Sequence, residues 1–320
     1  MTPSAVAGRG RGVEDPVRHG WRALRRHVAA ARRQVVTARA TNPDAAAPLG
    51  TPDASGARVD RAVHEARKAL KRARAFARLL APALGAAVAD ELDRRARDAG
   101  RALAPLRDAA AARAALDAVR AHVGTDADLD ADAWAAVARA CGAEAGGPER
   151  PAASAALDAA TADLEVLRAL LRTTERPAPS AAAWARGLRR LHRSARRTAR
   201  AALASPDDDE RVHAARAAWK RLGLAVRAYR AVAPALVGPW VTEVEAVCAL
   251  LGDDHDQVVL RERLAAGVEG VPEAVLERLR AASWAVGSAL RAEALPRLAW
   301  LAAEPSKGFA ARHRAYVAPT

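Results

Sequence analysis

The chain has 320 residues, of which 51% are apolar and 3% aromatic, and a net charge of +14 from 51 basic and 37 acidic residues. This length suits one or two domains with a real core. A composition rich in alanine and arginine, with few β-branched or aromatic residues, indicates an all-α protein. No apolar run is expected to approach a membrane span, and the polar, Gly/Arg-rich stretch from Met1 to Pro16 has no apolar core of a signal peptide. Cys141 and Cys248 lack metal or redox spacing and read as small apolar helix residues in a reducing cytoplasm.

In chain order, the first feature is a stretch without Asp or Glu, 16–43. It contains Trp21, Arg22, Leu24, Arg25 and Arg26, then Arg32 and Arg33. A Pro/Gly/Ala linker, Thr41 to Gly56, follows. The spacing predicts a helix over 58–80, with no Gly or Pro inside it and a stop at Pro82. At 100° per residue, His64, Arg67, Lys68, Lys71, Arg74 and Arg78 fall within about a 120° arc. Val63, Ala66, Leu70, Ala73, Ala77 and Leu80 take the opposite side, so the helix has a core face and a purely cationic face. Segment 181–204 gives a further row: Arg186, Arg189, Arg190, Arg193, Arg196, Arg197 and Arg200. After a short linker, 205–209, His213, Arg216, Lys220, Arg221 and Arg227 recur at helical spacing. The cluster Asp253-Asp254-His255-Asp256 reads as a helix N-cap with a structural polar contact rather than a metal site.

Four acid-free stretches, 16–43, 66–89, 176–206 and 211–242, hold 7, 6, 8 and 6 basic residues; the remainder has all 37 acidic residues and only 24 basic ones. Solvated helix faces usually interleave both signs, because like charges a turn apart cost a few tenths of a kcal/mol each. Unrelieved stacking makes sense if a polyanion supplies the missing negative charge.

These stretches are two copies of one unit. Arg25-Arg26 and Arg32-Arg33 match Arg189-Arg190 and Arg196-Arg197 at an offset of 164. Val63-His64-x-x-Arg67-x-x-x-Lys71-Arg72 matches Val212-His213-x-x-Arg216-x-x-x-Lys220-Arg221 at an offset of 149, and Arg78 keeps that offset with Arg227. Leu106-Arg107-Asp108 meets Asp254-His255-Asp256 at 148, with Arg113 over Arg261 and Leu116 over Leu264. Only 4 basic residues are lysine, and Lys71 and Lys220 share the matched position. A compact ammonium suits a phosphate met as a point charge. The paired histidines read first as ligand contacts, then as structural hydrogen bonds, and last as metal or phosphohistidine chemistry. Ligand-facing histidines predict affinity rising as pH falls through about 6.5.

The ordered, doubled set resembles the CHAD family, the conserved-histidine α-helical domain, across about residues 16–302. Leu251-Gly252-Asp253-Asp254-His255-Asp256, continuing to Arg261 and Leu264, belongs to the same likeness. The resemblance implies two antiparallel four-helix bundles related by a pseudo-two-fold, forming one compact unit with a central basic groove. Copy one then covers about 16–174 and copy two about 181–302, between a disordered polar N-terminus, 1–15, and a C-terminal tail, 303–320. It also implies non-enzymatic binding of inorganic polyphosphate, and association with polyphosphate granules in bacteria. The matching binding residues are His64, Arg67, Lys68, Lys71, Arg72, Arg74 and Arg78, then His213, Arg216, Lys220, Arg221 and Arg227. The preceding helices add Arg22, Arg25, Arg26 and Arg33, and Arg189, Arg190, Arg193 and Arg197. This sequence departs from the pattern at Ala217 (over Lys68) and at Gly223 (over Arg74), so the second copy is expected to bind less tightly; Pro105 in the segment 103–108 bears on the local turn, not on the binding face.

No catalytic residue, metal site or cofactor is expected. Glu243-Val244-Glu245 lacks the following lysine of a triphosphatase, and no GxxxxGK[ST] loop or supported Ser/His/Asp set is present. The rival partners are nucleic acid, disfavoured by 11 aromatic residues in all and no recognised motif, and an acidic protein docked on the basic face.

Overall fold

The computed structural model describes residues 15–41, 54–106, 108–124, 131–142 and 150–317. Within them lie α1 (Pro16–Ala40), α2 (Ala54–Leu84), α3 (Ala86–Ala102), α4 (Asp108–Val123), α5 (Ala131–Ala140), α6 (Arg150–Thr173), α7 (Ala181–Ala204), α8 (Asp209–Arg227), α9 (Pro234–Ala265), α10 (Glu273–Ala303) and α11 (Ser306–Val317). No strand occurs among the described residues, so the all-α reading holds.

Local chemistry sets the helix starts. The Asp15 carboxylate accepts from the Val17 and Arg18 amides at 3.0 and 2.9 Å, and Pro16 sits at the first helical position, where its missing N–H costs nothing. Ser180 caps α7 through the Ala183 amide, and Asp208 caps α8 through that of Arg211. Helix α2 continues past Pro82, where a stop was expected, to Leu84. Pro82 lies in the last turn, and the chain turns only at Gly85, whose φ of 84° is open to glycine at little cost. Residues 1–14 and Arg107 lie outside the described residues, so the expected disordered N-terminus and part of the third matched pair are not described.

Helices α1, α2, α3 and α6 pack in a ring, each against two of the others, and α7, α8, α9 and α10 close a second ring. The rings meet where α2 lies on α7 and α8, and α1 touches α7. One apolar core runs through both, with Trp184, Trp219, Phe76 and Leu79 fully buried. A Cβ on Gly187 of α7 would stand 1.8 Å from the Leu79 carbonyl oxygen of α2, so only glycine permits this crossing.

Three placements differ from expectation. Helices α4 and α5, from the first copy, pack on α9 and α10 of the second. There Leu116, Val119 and Val137 form a smaller core with Leu260, Leu264 and Leu276. Segment 303–320, read as a tail, carries α11, which lies on α7 and buries Phe309, His313 and Val317. The Asp253–Asp256 cluster sits inside α9 rather than at a helix start. Among the described residues, α9 is also long and apolar enough to cross a membrane by length and composition, contrary to expectation. In this fold it is a bundle helix, its Val241, Val244, Val247 and Leu251 buried beside α8 and α10.

Candidate polyanion-binding surface

Helix α7 presents the largest uncompensated charge. Its core face, including Trp184, Gly187, Leu188, Leu191, Ala195 and Ala199, is buried. Opposite it, Arg186, Arg189, Arg190, Arg193, Arg197 and Arg200 are all exposed. They fall within about a 100° arc and span roughly 21 Å along the axis. None has a carboxylate partner among the described residues. Helix α1 repeats the arrangement with exposed Arg18, Arg22, Arg25, Arg26 and Arg33.

The Arg doublets split their work. Arg33 is exposed, whereas its neighbour Arg32 is held by Glu165 of α6, and Arg39 pairs with Asp158 at 2.7 Å. Arg197 is exposed, whereas Arg196 donates to the Ala302 carbonyl at 2.7 Å and so caps the last turn of α10. In Arg32-Arg33 and Arg196-Arg197 one member holds the frame and the other faces solvent, whereas both members of Arg25-Arg26 and of Arg189-Arg190 are exposed.

The duplicated His/Arg/Lys motif divides along α2. Near its start, His64, Arg67 and Arg72 are half-buried and Lys68 and Lys71 exposed, with Glu65 bridging to Lys68 at 2.8 Å. Further along, Ala75 and Leu79 on the cationic side are buried, because α7 and α8 cover that end. Arg74 and Arg78 there turn to Asp93 of α3, at 3.0 and 2.8 Å, and Arg78 also reaches Asp90 at 2.9 Å. Burial pushes the Asp93 carboxyl up, but the hydrogen bonds and charges of Arg78 and Arg74 outweigh it and hold the group below the usual carboxylate range. Arg221 of α8 completes the cluster. Burial lowers its proton affinity, Asp93 opposes that, and Arg74 and Arg78 add to it. The face expected to be purely cationic is therefore partly neutralised by α3.

The second copy follows the same plan. Arg227, matched to Arg78, is tied to Glu245 of α9. Arg216 donates to the Cys248 carbonyl at 3.4 Å and lies over Gly252, where a Cβ would come within 2.8 Å of Nη2, so the glycine of the Leu-Gly-Asp-Asp run makes room for this guanidinium. Lys220 is half-buried. At Gly223, matched to Arg74, a Cβ would meet Val244 Cγ1 at 2.8 Å; this is a packing position with no room for arginine, not a lost ligand. Ala217 is half-buried.

His213 packs its ring on His255 with centroids 4.1 Å apart. Burial, His255 and Arg216 lower the His213 pKa, and burial and Arg216 lower that of His255, so both rings are neutral at pH 7. Asp254 is buried and bonded to Arg291 Nε at 2.8 Å; Arg291 also reaches the Pro206 carbonyl at 3.1 Å and binds Asp209, which pairs with Arg261. This network ties α8 to α9 and α10. No group of three or more His, Cys, Asp or Glu suited to a metal occurs among the described residues. Both cysteines are buried, and burial raises the Cys248 pKa to about 11.

Sequence reasoning missed the acids that consume part of the cationic face. Asp93 carried a signal: Ala89, Leu92, Ala96 and Ala99 share its core-facing side of α3, and a carboxylate there needs a partner. Glu245 carried none.

A family model described as CHAD domain matches residues 51–265, from just ahead of α2 to the end of α9. No curated protein and no solved structure matches the chain.

Proposed function

The chain belongs to the CHAD domain family, and on that footing we propose that it binds inorganic polyphosphate without chemistry of its own. The contact surface is the arginine rows of α1 and α7 with the open ends of the His/Arg/Lys motifs of α2 and α8. The observation that carries this reading is the α7 row: six exposed arginines on one stripe with no carboxylate partner among the described residues. Such a row costs the helix a few tenths of a kcal/mol per like pair, and a chain of phosphates offsets that cost with successive charge-assisted, bidentate contacts. Arg32, Arg74, Arg78, Arg196 and Arg227 hold the frame, while Arg22, Arg25, Arg26, Arg33, Arg189, Arg190, Arg193 and Arg197 meet the ligand. Residence in the cytoplasm on polyphosphate granules follows from the same proposal.

Nucleic acid is the second reading. It is disfavoured because Trp21 and Trp184, the tryptophans beside the rows, are 3% and 1% exposed and offer no stacking platform. The exposed Trp284 and Trp300 lie on α10. The test titrates long-chain polyphosphate at two salt concentrations against duplex DNA, single-stranded DNA and RNA competitors. Polyphosphate should win by more than about tenfold, and R189E/R193E/R197E should abolish binding with the helical circular dichroism unchanged. Competition ranked by charge alone overturns the selectivity, and unchanged affinity of the variant overturns the surface.

A further inference from the structure

We propose that a cleft between α1 and the α6–α7 connection, sharing Arg22 and Arg25 with the α1 row, is a site for a compact triphosphate group. The cleft has a volume of about 340 Å³, within the range of small-ligand pockets. Its rim has four arginines from two parts of the chain: Arg22 and Arg25 of α1, and Arg172 and Arg176 from the end of α6 and the connection after it. Arg25, Arg172 and Arg176 are exposed and have no carboxylate partner among the described residues. Arg172 and Arg176 belong to neither arginine row and to neither copy of the His/Arg/Lys motif. The floor is apolar, formed by Trp21 and Leu171, both buried.

Arg25, Arg172 and Arg176 bring unbalanced positive charge to one cleft, which an anion would offset, and their planar forks suit phosphate oxygens. The triphosphate has two possible sources, the end of an inorganic polyphosphate chain or a nucleoside triphosphate.

The experiment is calorimetric titration of the full chain with inorganic tripolyphosphate, ATP and sulfate. It is repeated on R172E/R176E and on the row variant R189E/R193E, with thermal melts to confirm folding. Tripolyphosphate should bind at least about tenfold more tightly than sulfate. R172E/R176E should lose about tenfold or more of that affinity, while R189E/R193E keeps it within about threefold. Tighter binding of ATP than of tripolyphosphate assigns the site to nucleotides; the reverse assigns it to chain ends. Tripolyphosphate binding no tighter than sulfate, or an equal loss in both variants, overturns the proposal. Long polyphosphate should still bind R172E/R176E through the α7 row, so the cleft and the row fail or stand separately.

Discussion

Removing the carboxylate of Asp93 should loosen the junction of the two bundles. Asp93 is 2% exposed, and its two oxygens take Arg74 and Arg78 at 3.0 and 2.8 Å, with Arg221 close by. In Asp93→Ala, three guanidinium groups face one another across α2 and α8 with no counter-charge between them. Breaking a buried ion pair by deleting one partner costs about 3–5 kcal/mol. Here the lower end applies, about 3 kcal/mol, because the Arg74 and Arg78 side chains keep 26% and 38% exposure and Arg78 retains Asp90. Asp93→Asn, which keeps the shape and one acceptor, should lose roughly half as much. Urea unfolding followed by circular dichroism reads both values. The depressed pKa sets the pH window: the contribution is present above the unfolded Asp value, about 3.9, and is lost as pH falls through the lower folded value. The gap between wild type and Asp93→Asn should therefore be constant from about pH 8 to 5 and close below about 4. A loss under about 0.5 kcal/mol for Asp93→Ala, or a gap that persists in acid, refutes the reasoning.

Gly187→Ala drives a Cβ to 1.8 Å from the Leu79 carbonyl, a backbone atom that cannot swing away. A loss of about 3 kcal/mol, at the top of the overpacking range, is expected in denaturant titration, and a neutral variant would contradict the α2–α7 crossing. His313 is 2% exposed, and burial with Arg312 and His192 lowers its pKa to about 3. Between about pH 6.5 and that value the unfolded chain takes up a proton that the folded chain refuses, so stability falls with pH. Melting curves at pH 7 and 5 should show a smaller acid drop for His313→Phe than for wild type. Because His213 and His255 are held below the ordinary histidine value, polyphosphate affinity should stay flat from about pH 8 to 6.5 and rise only below it. This is lower than the window expected from unperturbed histidines, and a midpoint at or above about 6.5 in a binding titration would show that burial does not govern these rings.

Much of this protein was legible locally. A 3.6-residue period is a property of the backbone, so the rows on α1 and α7, the opposed faces of α2 and the duplication are all readable from spacing. Spacing places Arg74 and Lys71 on one face, yet the structure opens the start of that face and closes its end. What closes it, α7 and α8, lies more than a hundred residues away in the chain.

The sequence by itself determined the helical class, the two copies and which residues share a helix face, because each follows from side-chain chemistry and neighbours within a few turns. Only the tertiary structure decided which cations are spoken for. The carboxylates of Asp93, Glu165 and Glu245 reach Arg74, Arg32 and Arg227 from other helices. It likewise decided that α4 and α5 complete the opposite bundle, that α11 joins the core and that Gly223 is a packing position. A helix face states what it needs to meet, an apolar surface or a charge of opposite sign, but its partner is set by the packing of the whole chain.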